Sequence, residues 1–391
     1  MNISAYPNCF GCGVCSSVCP KGIISLQRNS DGFYQPQIED GGMCIECGIC
    51  LKVCAYNKTQ TCGINQDTIG YASWSKDAAV RRKSSSGGTG FEIARNLINK
   101  GYKFIGVRYN IEKGRAEHYI ACTEKELIAS TGSKYIPSFT EDAFKSIRKG
   151  EKYVIAGTPC QIASLRNLIK IRNMEEDVVL IDFFCHGVPS LNMWDKYTME
   201  AEKKVGKLTF VSWRNKRTGW HDSWAMAIDG EEHGEPVNWH DSYNMLIKKK
   251  KCYLNSRFSQ GDMFYKFFLG NMCFNKSCYK DCRFKMLNSS ADIRIGDLWG
   301  NKYASNELGI TGVIAFTDVG KQVLSQSNVE LIPEMIDVVT DGQMRENSKI
   351  PYYYSFLMRL FRTHLRLNTI YRIVQMLRIG TIVRYKFNMI K

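Results

Sequence analysis

Two stretches decide how the chain begins: CFGCGVCSSVCP, residues 9–20, and CIECGICLKVC, residues 44–54. Cysteines stand at 9, 12, 15 and 19 in the first and at 44, 47, 50 and 54 in the second, with successive gaps of two, two and three residues. Three thiolates on a tight loop cap three irons of one cubane, and the fourth, a turn of helix later, reaches a neighbouring cubane. The spacing therefore predicts one [4Fe-4S] cluster on Cys9, Cys12, Cys15 and Cys54, and a second on Cys19, Cys44, Cys47 and Cys50. Gly11, Gly13 and Gly48 lie inside these loops, where a residue without Cβ lets backbone N–H groups approach sulfur. Zinc also takes four cysteines, usually as two separated pairs, and stands as the alternative. Ala55, not Pro, follows Cys54, which alters the local turn and removes no ligand.

Between the runs, IISLQRNSDGFYQPQI alternates apolar and polar residues around Asp31-Gly32, the pattern of a β-hairpin joining two pseudo-symmetric halves. Residues 1–62 thus read as an α+β ferredoxin-like module. The remaining cysteines are Cys62, Cys122, Cys160, Cys185, Cys252, Cys273, Cys278 and Cys282. Close-set runs of this kind hold metal in a reducing compartment far more often than they form disulfides.

The 391 residues, 44% hydrophobic and 23% charged, suit a folded globular protein of two or three domains. No apolar run approaches the ~18 residues of a membrane span, and the start carries no basic-then-apolar leader. A cytoplasmic protein, at most peripheral at the inner membrane face, is expected. The net charge of +15 permits nucleic acid, an anionic membrane or an acidic partner. Nine of those charges come from residues 349–391, which contain no Asp or Glu. No nucleic-acid module is recognisable, so nucleic acid is not expected as a partner.

From about residue 63 the composition becomes that of an α/β core. Strand candidates at 69–74, 103–109, 152–157 and 178–184 alternate with helical stretches, among them FEIARNLINKGY, which ends at Gly101. That helix follows SSSGGTG, residues 84–90. A Ser/Gly loop entering a helix N-terminus can cradle a phosphate, and it can equally be a flexible connection. Cys160 and Cys185 stand at the predicted ends of strands, where a crevice at the sheet's carboxyl edge could face a ligand. Each alone could also be a buried structural thiol. Cys273-x4-Cys278-x3-Cys282 precedes ADIRIGDLWG, in which Gly296 and Asp297 read as a turn at a strand end. Segment 213–221, WRNKRTGWH, sets Arg214, Lys216 and Arg217 among tryptophans, a patch for an acidic tail, a partner or water alone.

SSGGTGFEIARNLINKGY, TGSKYIPS, GTPCQIASLR, FFCHGVPS, SCYKDC and ADIRIGDLWG follow one another in an order that resembles the coenzyme F420 hydrogenase/dehydrogenase beta-subunit family, which includes the plant 7-hydroxymethyl chlorophyll a reductase. The resemblance covers residues ~1–345. It implies a flavin-binding core, residues 63–150 and 151–345, that holds FAD and a third [4Fe-4S] cluster. On this resemblance, Ser85, Ser86, Gly87, Gly88, Thr89 and Gly90 lie on the flavin phosphates, with Lys134 and the turn Gly157, Thr158 and Pro159 near the cofactor. Cys278 and Cys282 match the family's paired cysteines, here separated by three residues rather than two, and Cys160 and Cys185 complete the cluster. Cys273 is the rival ligand. His186 would donate to flavin or deliver a proton, or merely orient its loop.

The implied activity is that of an iron–sulfur flavoprotein oxidoreductase. A two-electron donor or acceptor, deazaflavin or NAD(P)H, meets FAD, and single electrons pass through the clusters to a redox partner protein or subunit. Two alternatives stand beside it: a ferredoxin-dependent FAD reductase of an organic substrate, for which polysaccharide biosynthesis is one setting, and a non-enzymatic electron-transfer subunit. Residues 346–391 mix large apolar residues with Arg at helical intervals. Such a basic amphipathic tail lies on an anionic membrane, or packs as a helical hairpin on the core with its arginines in water.

Overall fold

The computed structural model describes residues 2–3, 9–39, 41–56, 68–214, 216, 219–221, 223–224, 226–231 and 262–388. Cys62, Arg217 and Cys252 lie outside them.

The N-terminal module has two matching halves. Gly13 (φ 73°) caps the short helix Val14–Val18, and Gly48 (φ 69°) caps Ile49–Lys52, both in the left-handed region that an L side chain resists. Strands β1 (Ile24–Arg28) and β2 (Tyr34–Ile38) pair antiparallel across the Asp31-Gly32 turn, with Arg28 opposite Tyr34. The module is bonded to the rest of the chain. Leu26 N–H donates to Glu141 (2.6 Å), Thr140 Oγ1 donates to the Cys12 carbonyl (3.0 Å), and Ser190 Oγ donates to the Asp31 carbonyl (2.6 Å).

The core is one mixed sheet of nine strands: β3 (Ile69–Ser75), β4 (Lys103–Asn110), β5 (Arg115–Ala121), β6 (Ser138–Phe139), β7 (Tyr153–Ala156), β8 (Val178–Phe183), β11 (Ile293–Asp297), β12 (Thr311–Ala315) and β13 (Val329–Glu334). Their spatial order is β13-β3-β12-β11-β8-β7-β4-β5-β6, and β9 (Leu208–Ser212) and β10 (Ala227–Gly230) form a separate hairpin. All four strands expected from the apolar runs are present. Alternation along them assigns the two faces. Val154, Val179 and Ile181 pack with Ile93, Ala94 and Leu97 of the helix Thr89–Asn99. Tyr153, Ile155, Val178 and Leu180 pack on the other side with Ile162, Leu165 and Leu168 of the helix Pro159–Arg172. Covered on both faces, β7 and β8 must read as continuous apolar runs.

Strands β4, β7, β8 and β11 are mutually parallel, and β3 shares their direction through two antiparallel pairings with β12. Their carboxyl ends bring Gly157–Thr158, Phe184–Gly187 and Gly296–Trp299 to one edge of the sheet. A crevice outside that edge is where an open α/β sheet takes a ligand.

The tail is part of the fold. Leu357, Met358 and Phe361 of the helix Tyr354–Phe361, with Leu367, Ile370 and Val374 of Leu367–Asn388, are buried against Trp194, Tyr197, Phe264 and Phe267. Of the two open readings of the tail, the packed hairpin is therefore the one that describes residues 353–374. Its apolar face is already covered by the core, while Met376 and Leu377 remain exposed.

One buried group couples this fold to pH. His118 on β5 donates from Nε2 to the Ala156 carbonyl (3.2 Å), just before the Gly157 turn, and lies against Phe144. Burial pushes its pKa down from 6.5 to about 4. Below its ordinary pKa the unfolded chain takes up a proton that the folded chain refuses. Stability therefore falls by up to about 3 kcal/mol as pH drops through that window. His118→Gln is expected to flatten the urea midpoint between pH 6.5 and 4, against a falling profile in the parent.

Candidate functional site

The carboxyl-edge crevice is a cavity of about 660 Å³, within the range of small-molecule and cofactor sites. One wall is the Ser/Gly loop, with Ser84, Ser85, Ser86, Gly88, Thr89 and Gly90 on the cavity. The loop is held from behind. Thr89 Oγ1 donates to Ser73 Oγ (2.8 Å), Ser86 Oγ donates to the Ile310 carbonyl (2.6 Å), and Gly87 N–H donates to Thr311 Oγ1 (3.0 Å). Gly87 itself does not line the cavity. A Cβ there would meet the Ser73 carbonyl oxygen at 2.4 Å, so its glycine serves close packing of loop on sheet. The first-turn N–H groups of Thr89 and Gly90 have no intrahelical carbonyl to reach, and with the helix dipole they favour an anion.

Lys134 faces this loop. Its ammonium donates to the carbonyls of Ala129 (3.3 Å), Ser130 (2.8 Å) and Thr131 (3.0 Å), and burial pushes its pKa down to about 7. An anion in the cavity would favour the charged form. Ser133 N–H donates to Ser85 Oγ (2.9 Å) and ties the two loops together. Gly157 and Thr158 also line the cavity, whereas Pro159, the first residue of the following helix, does not.

Of the basic patch expected at 213–221, Arg214 is buried and Lys216 half-buried, and Arg217 lies outside the described residues. Arg214 is buried in an ion pair with Asp297, also hydrogen-bonds Ser223 Oγ (3.0 Å), and lies over the rings of Trp224 (4.8 Å) and Trp299 (5.4 Å). Asp297, read from sequence as part of a simple turn, also accepts from Trp220 Nε1 (2.9 Å) and borders the cavity. Lys216 donates to the carbonyls of Arg81 (2.7 Å), Leu308 (2.7 Å) and Ser86, which clamps the Ser/Gly loop. Arg214 and Lys216 are thus both engaged internally, one by Asp297 and the other by carbonyls around the Ser/Gly loop. The aromatic wall of Tyr135, Trp224, Phe268 and Trp299 has no signature in the sequence, since well-separated segments form it.

The opposite end of the cavity carries Cys185 and His186. His186 Nε2 lies 2.7 Å from Asn271 Oδ1, its ring packs on Phe268 and Phe274, and burial lowers its pKa to about 4. Lys285 Nζ donates to the carbonyls of Cys185 (2.7 Å) and His186 (3.1 Å).

Cys185 is one of four thiols that influence one another. Cys160 is within electrostatic reach of Cys185 and Cys278, Cys185 of Cys282, and Cys278 of Cys185 and Cys282. Cys278 sits on the short helix Lys276–Lys280 and Cys282 just beyond its end. Cys273 packs into the aromatic core, where burial pushes its thiol up to about 12. The fold thus groups Cys160 and Cys185, not Cys273, with the pair.

The eight N-terminal cysteines also segregate. Cys9, Cys12, Cys15 and Cys54 influence one another. Cys19, Cys44, Cys47 and Cys50 line one small cavity. Gly11 N–H donates to Cys9 Sγ (3.2 Å), the kind of backbone contact its loop position anticipates. The three sets form a series: Cys185 borders the cavity, Cys160 lies within reach of Cys12, and Cys15 within reach of Cys50. Phe10 and Gly11 of the first cysteine loop also border the cavity. Among the described residues no three His, Cys, Asp or Glu side chains are close enough together to hold a single metal ion, so these sets are spaced more widely than a mononuclear site.

Residues 150–338 match the family described as the C terminus of the coenzyme F420 hydrogenase/dehydrogenase beta subunit, and residues 8–58 match a 4Fe-4S dicluster domain. This region belongs to the F420 hydrogenase/dehydrogenase beta-subunit family, behind a 4Fe-4S domain. The dicluster match decides between zinc and iron–sulfur chemistry at Cys9–Cys54 in favour of iron–sulfur clusters. Among relatives of the family, the F subunit of F(420)H(2) dehydrogenase from Methanosarcina mazei is 26% identical over 260 residues, covering 60% of this chain and 68% of the relative. A chain of the F420-reducing [NiFe] hydrogenase complex from Methanosarcina barkeri superposes with a TM-score of 0.45 and 14% identity, covering 78% of this chain and 91% of that one. Family and domain together mark the protein as an iron–sulfur oxidoreductase that transfers electrons.

Proposed function

We propose that the chain is an iron–sulfur flavoprotein subunit, with FAD in the 660 Å³ cavity and a third [4Fe-4S] cluster on Cys160, Cys185, Cys278 and Cys282. It would pass electrons between a two-electron partner, a deazaflavin or NAD(P)H, and a one-electron protein partner. The observation that carries the reading is the series of three thiol sets that begins at the cavity and ends at the outer cluster loop. FAD, when bound, supplies the exchange between paired and single electrons that such a series requires.

The residues present fit that cofactor. The Ser/Gly loop, the helix N-terminus at Thr89 and Lys134 would hold its phosphates. Tyr135, Trp224 and Trp299 line the cavity with aromatic rings, and Arg214, already neutralised by Asp297, adds no free charge there. His186 and Lys285 hold the turn that carries Cys185 against the cavity. The name of the Methanosarcina mazei relative, part of an F(420)H(2) dehydrogenase, favours a deazaflavin and a partner protein in a larger assembly. Cysteine runs with this ligand spacing suit a reducing compartment such as the cytoplasm.

Anaerobic reconstitution followed by stopped-flow mixing tests this. Reduced F420, NADH or NADPH is expected to bleach a bound flavin first and the iron–sulfur absorbance afterwards. A reconstituted chain that binds no flavin overturns the reading. Bleaching by reduced ferredoxin alone would instead make the protein a reductase of an organic substrate.

A further inference from the structure

The helix Pro159–Arg172 carries Cys160 in its first turn and Ser164 one turn later, on the same face. Ser164 is fully buried, and its hydroxyl meets two groups of the N-terminal module. Ala55 N–H donates to it at 2.9 Å, and Cys12 Sγ lies 3.3 Å away. A backbone N–H can only donate, so it occupies a lone pair of the oxygen and leaves the hydroxyl hydrogen to find an acceptor. In the metal-free chain the Cys12 thiol donates to Ser164. A thiolate that binds iron has no hydrogen to give and is itself an acceptor.

We propose that Ser164 donates a hydrogen bond to the Cys12 thiolate of the bound inner [4Fe-4S] cluster and raises that cluster's midpoint potential. Hydrogen bonds to sulfur favour the reduced cluster, because they disperse the negative charge it gains. The donor comes from the core rather than from the ferredoxin-like loop, on the helix that also carries Cys160. The residue after Cys54 completes the arrangement. Proline at position 55 has no N–H, whereas Ala55 supplies the donor that orients the Ser164 oxygen. Ser164 is a positioning and tuning residue that acts on the cluster through Cys12. The inference rests on Cys12 being a ligand of the dicluster domain and does not require the flavin.

The test is an anaerobic redox titration of the reconstituted full-length chain, followed by electron paramagnetic resonance. Ser164→Ala is expected to move one cluster midpoint to lower potential and leave the others in place, with iron content unchanged. Ser164→Thr keeps the hydroxyl and restores the parent value. An unmoved midpoint in Ser164→Ala, or an equal drop in Ser164→Thr, overturns the proposal. If Ser164→Ala does not retain iron, Ser164→Cys carries the test, because its thiol is a weaker donor: a smaller drop supports the proposal and no drop overturns it. Retention of all iron in Cys12→Ala would overturn the ligand reading instead.

Discussion

Cys278→Ser is expected to cost the reconstituted protein about a third of its iron while its flavin stays bound. Cys278 lies within reach of Cys185 and Cys282, and Cys160 within reach of Cys278, but it does not border the cavity. The substitution therefore removes the middle set of thiols without touching the cofactor wall. A two-electron donor should still bleach the flavin, and the clusters of the 4Fe-4S domain should then stay oxidised. Cys273→Ala is the matched control: it leaves iron content and cluster reduction unchanged, since Cys273 packs in the aromatic core. Iron and sulfide analysis with stopped-flow spectra reads both. Equal iron in Cys278→Ser and the parent would remove the third cluster, and with it the continuous series on which the proposed function stands.

Arg294→Met is expected to destabilise the fold by about 3–5 kcal/mol, the cost of leaving a buried charge without its partner. Arg294 and Asp182 are both fully buried and bonded in a fork, Nε to Oδ1 at 2.7 Å and Nη2 to Oδ2 at 2.6 Å. The same guanidinium donates to the carbonyls of Phe284 (3.2 Å), Met286 (2.5 Å) and Asn288 (3.1 Å). It thus fastens the loop after Cys282 to strands β8 and β11. Lysine cannot replace this fork, because one ammonium cannot serve two carboxylate oxygens and three carbonyls in a plane. The urea midpoint measures the loss, and slower incorporation of iron should accompany it, as the loop holds Cys282 and Lys285 near Cys185. Changing Asp182 and Arg294 together to apolar residues is expected to recover part of the stability, since no lone charge is then left buried.

Much of this site is local in sequence. The cysteine runs need only short loops and positive-φ glycines, and Gly13 and Gly48 adopt that backbone as their spacing anticipates. The Ser/Gly loop and its helix likewise follow from adjacent residues. Other features depend on distant partners and left no local signal. Arg214 and Lys216 look like a surface patch until Asp297 and the carbonyls of Ser86 and Leu308 close around them. Ala55 looks like a minor departure until Ser164, 109 residues later, is found receiving its N–H.

Reading along the chain is enough for the two four-cysteine runs, the hairpin between them, the apolar strands of the sheet and the Ser/Gly loop before its helix. Each rests on spacing within one turn, one strand or one short loop, where backbone geometry dictates the pattern. Folding in three dimensions was needed to group Cys160 and Cys185 rather than Cys273 with Cys278 and Cys282, to place residues 353–374 of the tail in the core, and to join Cys12 to the Cys160 helix through one buried serine. Those outcomes depend on which segments the sheet brings to its carboxyl edge and on what remains buried there. No spacing along the chain encodes either.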